Sequence, residues 1–130
     1  MIDVRIIAVV GLGAALGGIL RYLLTQFVVA RAGAGLAFTS TLLINVSGSF
    51  LIGAVLQIAQ SRADLSPLWR YFLATGILGG YTTFSTFSFE ALSLASSGLW
   101  LTAAGYVAGS VVLGIGAAFA GMVSMRALEP

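Results

Sequence analysis

Apolar residues run through this chain in four long stretches, and the polar positions between them form short clusters. The stretches extend from Val4 to Ala30, Leu36 to Gln60, Pro67 to Ser97 and Leu99 to Met125. Each exceeds the roughly 20 mostly apolar residues that a helix needs to cross the hydrocarbon core of a bilayer. The links are Arg31 to Gly35, Ser61 to Ser66, and a tight turn near Gly98. Ser66 followed by Pro67 suits an N-cap and a first helical position. Links this short force successive spans to run up and down. The pattern predicts an all-α membrane protein, with four transmembrane helices in one domain over residues 1–130. The first stretch is too long for a signal peptide and lacks a convincing cleavage site, so it reads as a retained span.

Inside the stretches the polar residues are not scattered. Thr41, Asn45 and Ser49 follow one another at steps of four, which keeps them on one helical face. Thr102, Tyr106 and Ser110 repeat the spacing in the fourth stretch, ending at Gly114. Serine and threonine can satisfy themselves by bonding back to their own helix. Asn45 and Tyr106 cannot, and each requires a partner helix or water. Small residues also recur at steps of four, as Gly13 and Gly17, Gly76 and Gly80, and Gly105 and Gly109. Such pairs let helix backbones approach closely in lipid. Four spans can hardly enclose a pore and still pack well, which points to an oligomer.

The third stretch breaks the helical pattern. It reads Thr75-Gly76-Ile77-Leu78-Gly79-Gly80-Tyr81-Thr82-Thr83-Phe84-Ser85-Thr86-Phe87-Ser88-Phe89-Glu90. Three glycines followed by two threonines make a poor helix interior. Two readings stand: a break, whose freed carbonyls must face protein, water or an ion, or an unbroken glycine-rich packing seam. Phe84 and Phe87 lie three apart, on neighbouring faces. A phenyl ring is negative on its face and positive at its edge. Edges turned into a pore can therefore solvate an anion without a fixed charge, and Ser85, Thr86 and Ser88 add hydroxyls. Lipid contact or packing is the alternative for such rings.

Composition sharpens this picture. Of 130 residues, 59% are hydrophobic and 8% charged, against about 25% charged in soluble domains. Such a surface belongs in lipid. The net charge of +2 is too small and too scattered for nucleic-acid binding. Histidine and cysteine are absent, which removes Ser-His-Asp and Cys-His catalysis, thiol redox chemistry and the usual zinc and haem ligands. No phosphate-binding loop is present. None of this suggests an enzyme.

The termini and the second link share one side, which holds Arg5, Arg62, Arg70 and Arg126. The other side has Arg31, with Arg21 nearer to it. The positive-inside rule favours cytoplasmic termini by a small margin, which permits insertion both ways. Arg21 lies ten positions before Arg31, or about 15 Å deeper along a helix. It either snorkels to the interface or pairs with a partner. Glu90 is either a proton or ion relay or a hydrogen-bond post near a helix end.

Gly79-Gly80-Tyr81-Thr82-Thr83-Phe84-Ser85-Thr86-Phe87-Ser88, with Glu90 after it, resembles the GGxTTFSTFS segment of the Fluc/CrcB fluoride channels. Gly17-Gly18-Ile19-Leu20-Arg21-Tyr22 looks like their first-span motif, and Thr41-Leu42-Leu43-Ile44-Asn45 like their TLxxN motif. Tyr106 and Ser110 resemble their fourth-span polar track. Ser40 and Gly114 depart from the residues common in the family. The resemblance implies a dual-topology antiparallel homodimer with a break in the third span, two pores, and passive export of fluoride across a bacterial inner membrane. It implies an anion path lined by Phe84 and Phe87, with Asn45 turned toward them and hydroxyl donors from Tyr106 and Ser110. Thr41 and Glu90 would support the polar network, and Arg21 would face an aqueous vestibule. The backbone carbonyls of Gly79 and Thr82, from both subunits, would hold one structural sodium ion.

Two rivals remain. Small multidrug exporters are also four-span dimers, but they use a glutamate in the first span, where this chain has Arg21 and no acid. A structural subunit of a larger complex would need none of Asn45, Phe84 and Phe87.

Overall fold

The computed structural model describes residues 3–33, 36–62 and 64–128. Residues 34 and 35 of the first expected link and residue 63 of the second lie outside them. Among the described residues the chain is helical, without strands.

Helix α1 spans Val4–Ala32 and starts where Asp3 accepts a hydrogen bond from the Arg5 amide at 2.9 Å. It stops at Gly33, whose φ of 84° lies in the region where a side chain is strained. Helix α2 spans Ala37–Ser61. Helix α3 covers residues 67–81, and Ser66 and Pro67 take the cap and first-turn positions expected of them. Its turns change along its length. Pro67–Arg70 is α-helical, Tyr71–Leu78 is π-helical and Gly79–Tyr81 returns to α geometry. The π segment has no sequence signal that was read as such. Such wide turns are rare and gather at functional sites.

After Tyr81 the helical ladder is interrupted. Thr82 (ψ 157°) and Thr83 (φ −148°, ψ 118°) are extended. Helix α4 then spans Phe84–Ser96, with the Thr83 side chain as its N-cap. Gly98, at φ 80°, makes the expected turn, and helix α5 spans Trp100–Arg126. Each expected boundary lies within two residues of the observed one.

Three helices, α1, α2 and α5, are long and apolar enough to cross a membrane. Neither α3 nor α4 is long enough alone. Thirteen residues of α4 reach about 20 Å at 1.5 Å per residue, short of a core about 30 Å thick.

Two pairings dominate the packing: α2 lies along α5, and α1 lies along the π-helical part of α3. Both are glycine seams. A Cβ on Gly13 would stand 2.6 Å from the Phe72 carbonyl oxygen, and one on Gly17 would collide with the Ile77 carbonyl. Gly80 meets the Ala14 carbonyl in the same way. Across the other seam, Gly53 faces the Ala118 carbonyl and Gly121 the Phe50 carbonyl. The pairs Gly13/Gly17 and Gly76/Gly80 thus pack against each other. Gly105 has nothing within 4 Å, and neither does Gly109.

Buried positions are few and central: Ser40, Thr41, Ile44, Leu78, Thr83, Ala103 and Tyr106 among them. Large apolar side chains are exposed along every span, Leu101 by 89% and Phe84 by 79%. A water-soluble bundle buries such residues; here they face the surface of the chain.

Candidate functional site

The interruption after Tyr81 is held from another helix. The Thr83 amide donates to Asn45 Oδ1 at 2.9 Å, and Asn45 Nδ2 donates to the Thr83 carbonyl at 3.0 Å. One side chain on α2 therefore engages both backbone groups of Thr83, whose amide neither flanking helix serves. In an unbroken helix the Thr83 amide would donate to the Gly79 carbonyl, and the Thr86 amide to the Thr82 carbonyl. Instead the Thr86 amide donates to Thr83 Oγ1 at 3.3 Å. The carbonyls of Gly79 and Thr82 thus lose their usual donors. Thr82 bonds back to the Leu78 carbonyl through both its amide and its hydroxyl.

Two cavities adjoin this point. The larger, about 460 Å³, is lined by Asn45, Ser49, Gly79, Thr82, Phe84, Phe87 and Ser110, among others, and by no charged residue. The second, about 330 Å³, is lined by Arg21, Tyr22, Thr41, Thr86 and Glu90, among others, and so carries one charge of each sign. Thr83 lines both and is buried between them.

In the larger cavity the rings of Phe84 and Phe87 have centroids 5.7 Å apart at 44°. Phe87 meets Tyr106 edge-on at 5.2 Å and 60°, and Tyr106 meets Phe38 likewise at 5.4 Å and 63°. The four rings thus form a continuous chain of contacts from Phe38 through Tyr106 and Phe87 to Phe84. The Ser110 hydroxyl oxygen is buried in this region without a hydrogen-bond partner among the described residues. Ser49 bonds back to the Asn45 carbonyl, and Ser88 to the Phe84 carbonyl.

In the second cavity Glu90 accepts two hydrogen bonds, from Thr41 Oγ1 at 2.9 Å and from Tyr106 OH at 2.7 Å. The Tyr106 proton is directed at Glu90, while its ring packs against Phe87, which lines the larger cavity. Arg21 lines the same space as Glu90, but no ion pair joins them among the described residues. Thr102, the first member of the fourth-span stripe, is exposed. Gly114 packs near the Ser49 hydroxyl, with an added Cβ 3.6 Å from it. Ser40 is buried and bonds back to the Ala37 carbonyl.

The site residues named from sequence therefore fall into two groups. Asn45, Ser110, Phe84, Phe87, Gly79 and Thr82 border one cavity. Arg21, Thr41 and Glu90 border the other, and Tyr106 joins them through its ring and its hydroxyl. Thr83 was not singled out, although a threonine ahead of an apolar helical run is an N-cap signal. The Ser47–Tyr81 hydroxyl pair, 2.9 Å apart, was also not foreseen.

Comparison with known proteins extends this description. Residues 8–122 match the family described as CrcB-like protein, Camphor Resistance (CrcB). A relative from Rhizobium meliloti (strain 1021), named a fluoride-specific ion channel FluC, is 45% identical over 94% of this chain and 97% of its own length. One from Roseiflexus sp. (strain RS-1), with the same name, is 45% identical over 94% of this chain and 98% of its own. Another so named, from Paramagnetospirillum magneticum, is 47% identical over 90% and 92% of the two chains.

Proposed function

This chain belongs to the CrcB family as a multi-pass membrane protein, and from that premise we propose that it is a channel for fluoride. It lets fluoride leave the cytoplasm passively, down its gradient. One observation carries the reading. Phe84, Phe87, Asn45 and the unpartnered Ser110 hydroxyl gather around one cavity that has no charged lining residue.

Fluoride is small and strongly hydrated, so a pore must replace its water with close donors. Ring edges, an amide and a hydroxyl can do so. The lack of a fixed cation among the cavity's lining residues keeps the anion from binding too tightly to leave. The exposure of Phe84 supports a path completed by a second copy. We read the assembly as an antiparallel homodimer with two pores, in which the interruption at Thr82 and Thr83 is a break at membrane depth. Arg21 faces the aqueous vestibule, where a charge can stay hydrated. Thr41 and Tyr106 hold Glu90 in place beside it.

The carbonyls of Gly79 and Thr82 fit a structural sodium ion. Their usual helical donors are diverted, and unwound carbonyl oxygens suit a hard monovalent cation. Bound there between two copies, sodium would fix the interruption through carbonyls other than the one Asn45 engages.

The test is efflux from liposomes containing only this protein. Internal fluoride should be released, and internal chloride retained. A fluoride gradient that persists across vesicles containing folded protein would end the reading.

A further inference from the structure

We infer that Asn45 is a positioning residue that splints the interrupted helix, setting where the wall between the two cavities stands. The proposal deepens the channel reading and rests on it for its functional consequence.

Thr83 is the residue the splint must hold. It lies outside any helix, is buried, and borders both cavities. A buried backbone amide without a partner is unfavourable, and the Thr83 amide has no acceptor in α3 or α4, so it needs one from outside, while its carbonyl, which starts the α4 ladder, can take a second donor. The Asn45 amide provides both at 2.9 and 3.0 Å, from 38 positions away. Among side chains only asparagine and glutamine carry a donor and an acceptor on one amide group.

The clamp constrains everything downstream. With Thr83 held, its hydroxyl accepts the Thr86 amide and donates to Thr86 Oγ1 at 3.0 Å, which starts α4 at Phe84. The start of α4 in turn sets the direction of Phe84 and Phe87. Upstream, the Thr83 amide is kept from the Gly79 carbonyl. Asn45 thereby acts on both the ring pair and the freed carbonyls through Thr83. An amide nitrogen has two N–H groups, and one is spent on Thr83. At most one is left for an anion in the cavity.

Residue-resolved amide hydrogen exchange on the full-length protein in lipid nanodiscs, without fluoride, tests this. In the wild type the Thr83 amide should be as protected as amides inside α4. In Asn45→Leu and Asn45→Ser it should exchange about ten-fold faster or more, the effect expected for one lost hydrogen bond. Amides of α5 should be unchanged, showing that the fold persists. Asn45→Asp keeps the oxygen that accepts from Thr83, so protection of that amide should be retained. The same variant places a carboxylate at the anion's cavity, and fluoride efflux should fall about ten-fold or more.

A role as an anion donor alone predicts slow flux in all three variants with Thr83 exchange unmoved, which would overturn the inference. So would equal acceleration in the Asp and Leu variants, or a Thr83 amide already exchanging freely in the wild type. The last measurement needs no variant to fold. If the channel reading fails, wild-type vesicles hold their fluoride, and the exchange pattern still decides the splint.

Discussion

Ser110 has a buried hydroxyl oxygen that makes no hydrogen bond within the described protein, while on the same cavity Ser49 and Thr82 bond back to their own backbone and Thr83 donates to Thr86 Oγ1. Leaving a buried polar group unsatisfied is unfavourable by about 1–3 kcal/mol. Removing the group relieves that cost. Ser110→Ala should therefore leave thermal stability unchanged or raised by about 1 kcal/mol. It should slow fluoride efflux from liposomes about ten-fold, since an anion donor is gone. A variant with lower stability and normal flux would show that Ser110 is a packing residue.

The rings belong to the same scale. Edge-on aromatic contacts are worth about 0.5–1.5 kcal/mol beyond burial, and an anion at a ring edge draws on the same quadrupole. Phe84→Ile and Phe87→Ile keep bulk and lose the edge. Each should slow efflux about ten-fold or more with assembly intact, read by flux and by size-exclusion chromatography. Unchanged flux in both removes the rings from the path.

Glycine does different work in different helices. Where α1 meets α3, Gly17 sits directly against the Ile77 carbonyl, and where α2 meets α5, Gly121 sits against that of Phe50. Backbone cannot give way as a side chain end can. Gly17→Ala and Gly121→Ala should each destabilise the detergent-solubilised protein by about 1–3 kcal/mol, measured by unfolding. Gly105→Ala adds a methyl group where nothing lies within 4 Å and should cost nothing inside the protomer. Equal effects in all three would mean that the seams are not where these contacts put them. The wide turns over Tyr71–Leu78 share the first seam. Glycines and an apolar partner let this segment leave α geometry without exposing its backbone to lipid.

At the scale of the molecule, the surface is the anomaly. Phe84, Leu101 and Trp100 are mostly exposed, on helices with only a handful of charges. Lipid covers such a surface, and the proposed second copy would cover part of it. The margin of arginines between the two sides is small. An antiparallel dimer requires both orientations in one membrane. Because the chain has no cysteine, one introduced at the C-terminus reports orientation without background. A membrane-impermeant thiol reagent applied to intact cells should label about half of the protein. Labelling of all or none would exclude the dual-topology arrangement.

The apolar stretches were legible because lipid demands long apolar runs, and no tertiary contact is needed to read them; three of them form the helices α1, α2 and α5, long enough to cross a membrane. The turn at Gly98 and the cap at Ser66 were legible because they are local, set by backbone preference within a few residues. The motif from Gly79 to Ser88, with Thr41, Asn45 and Glu90, named polar residues that border the two cavities. Their partners were another matter. Asn45 finds Thr83 at 38 positions' distance, Thr41 finds Glu90 at 49, and Gly121 finds Phe50 across a helix seam. One-dimensional spacing says which face of a helix a residue occupies, but not what lies opposite. That depends on how far each helix slides and turns against its neighbours, which close packing of whole surfaces decides. Tertiary structure alone therefore separated the uncharged cavity from the charged one, and turned the Tyr106 hydroxyl toward Glu90.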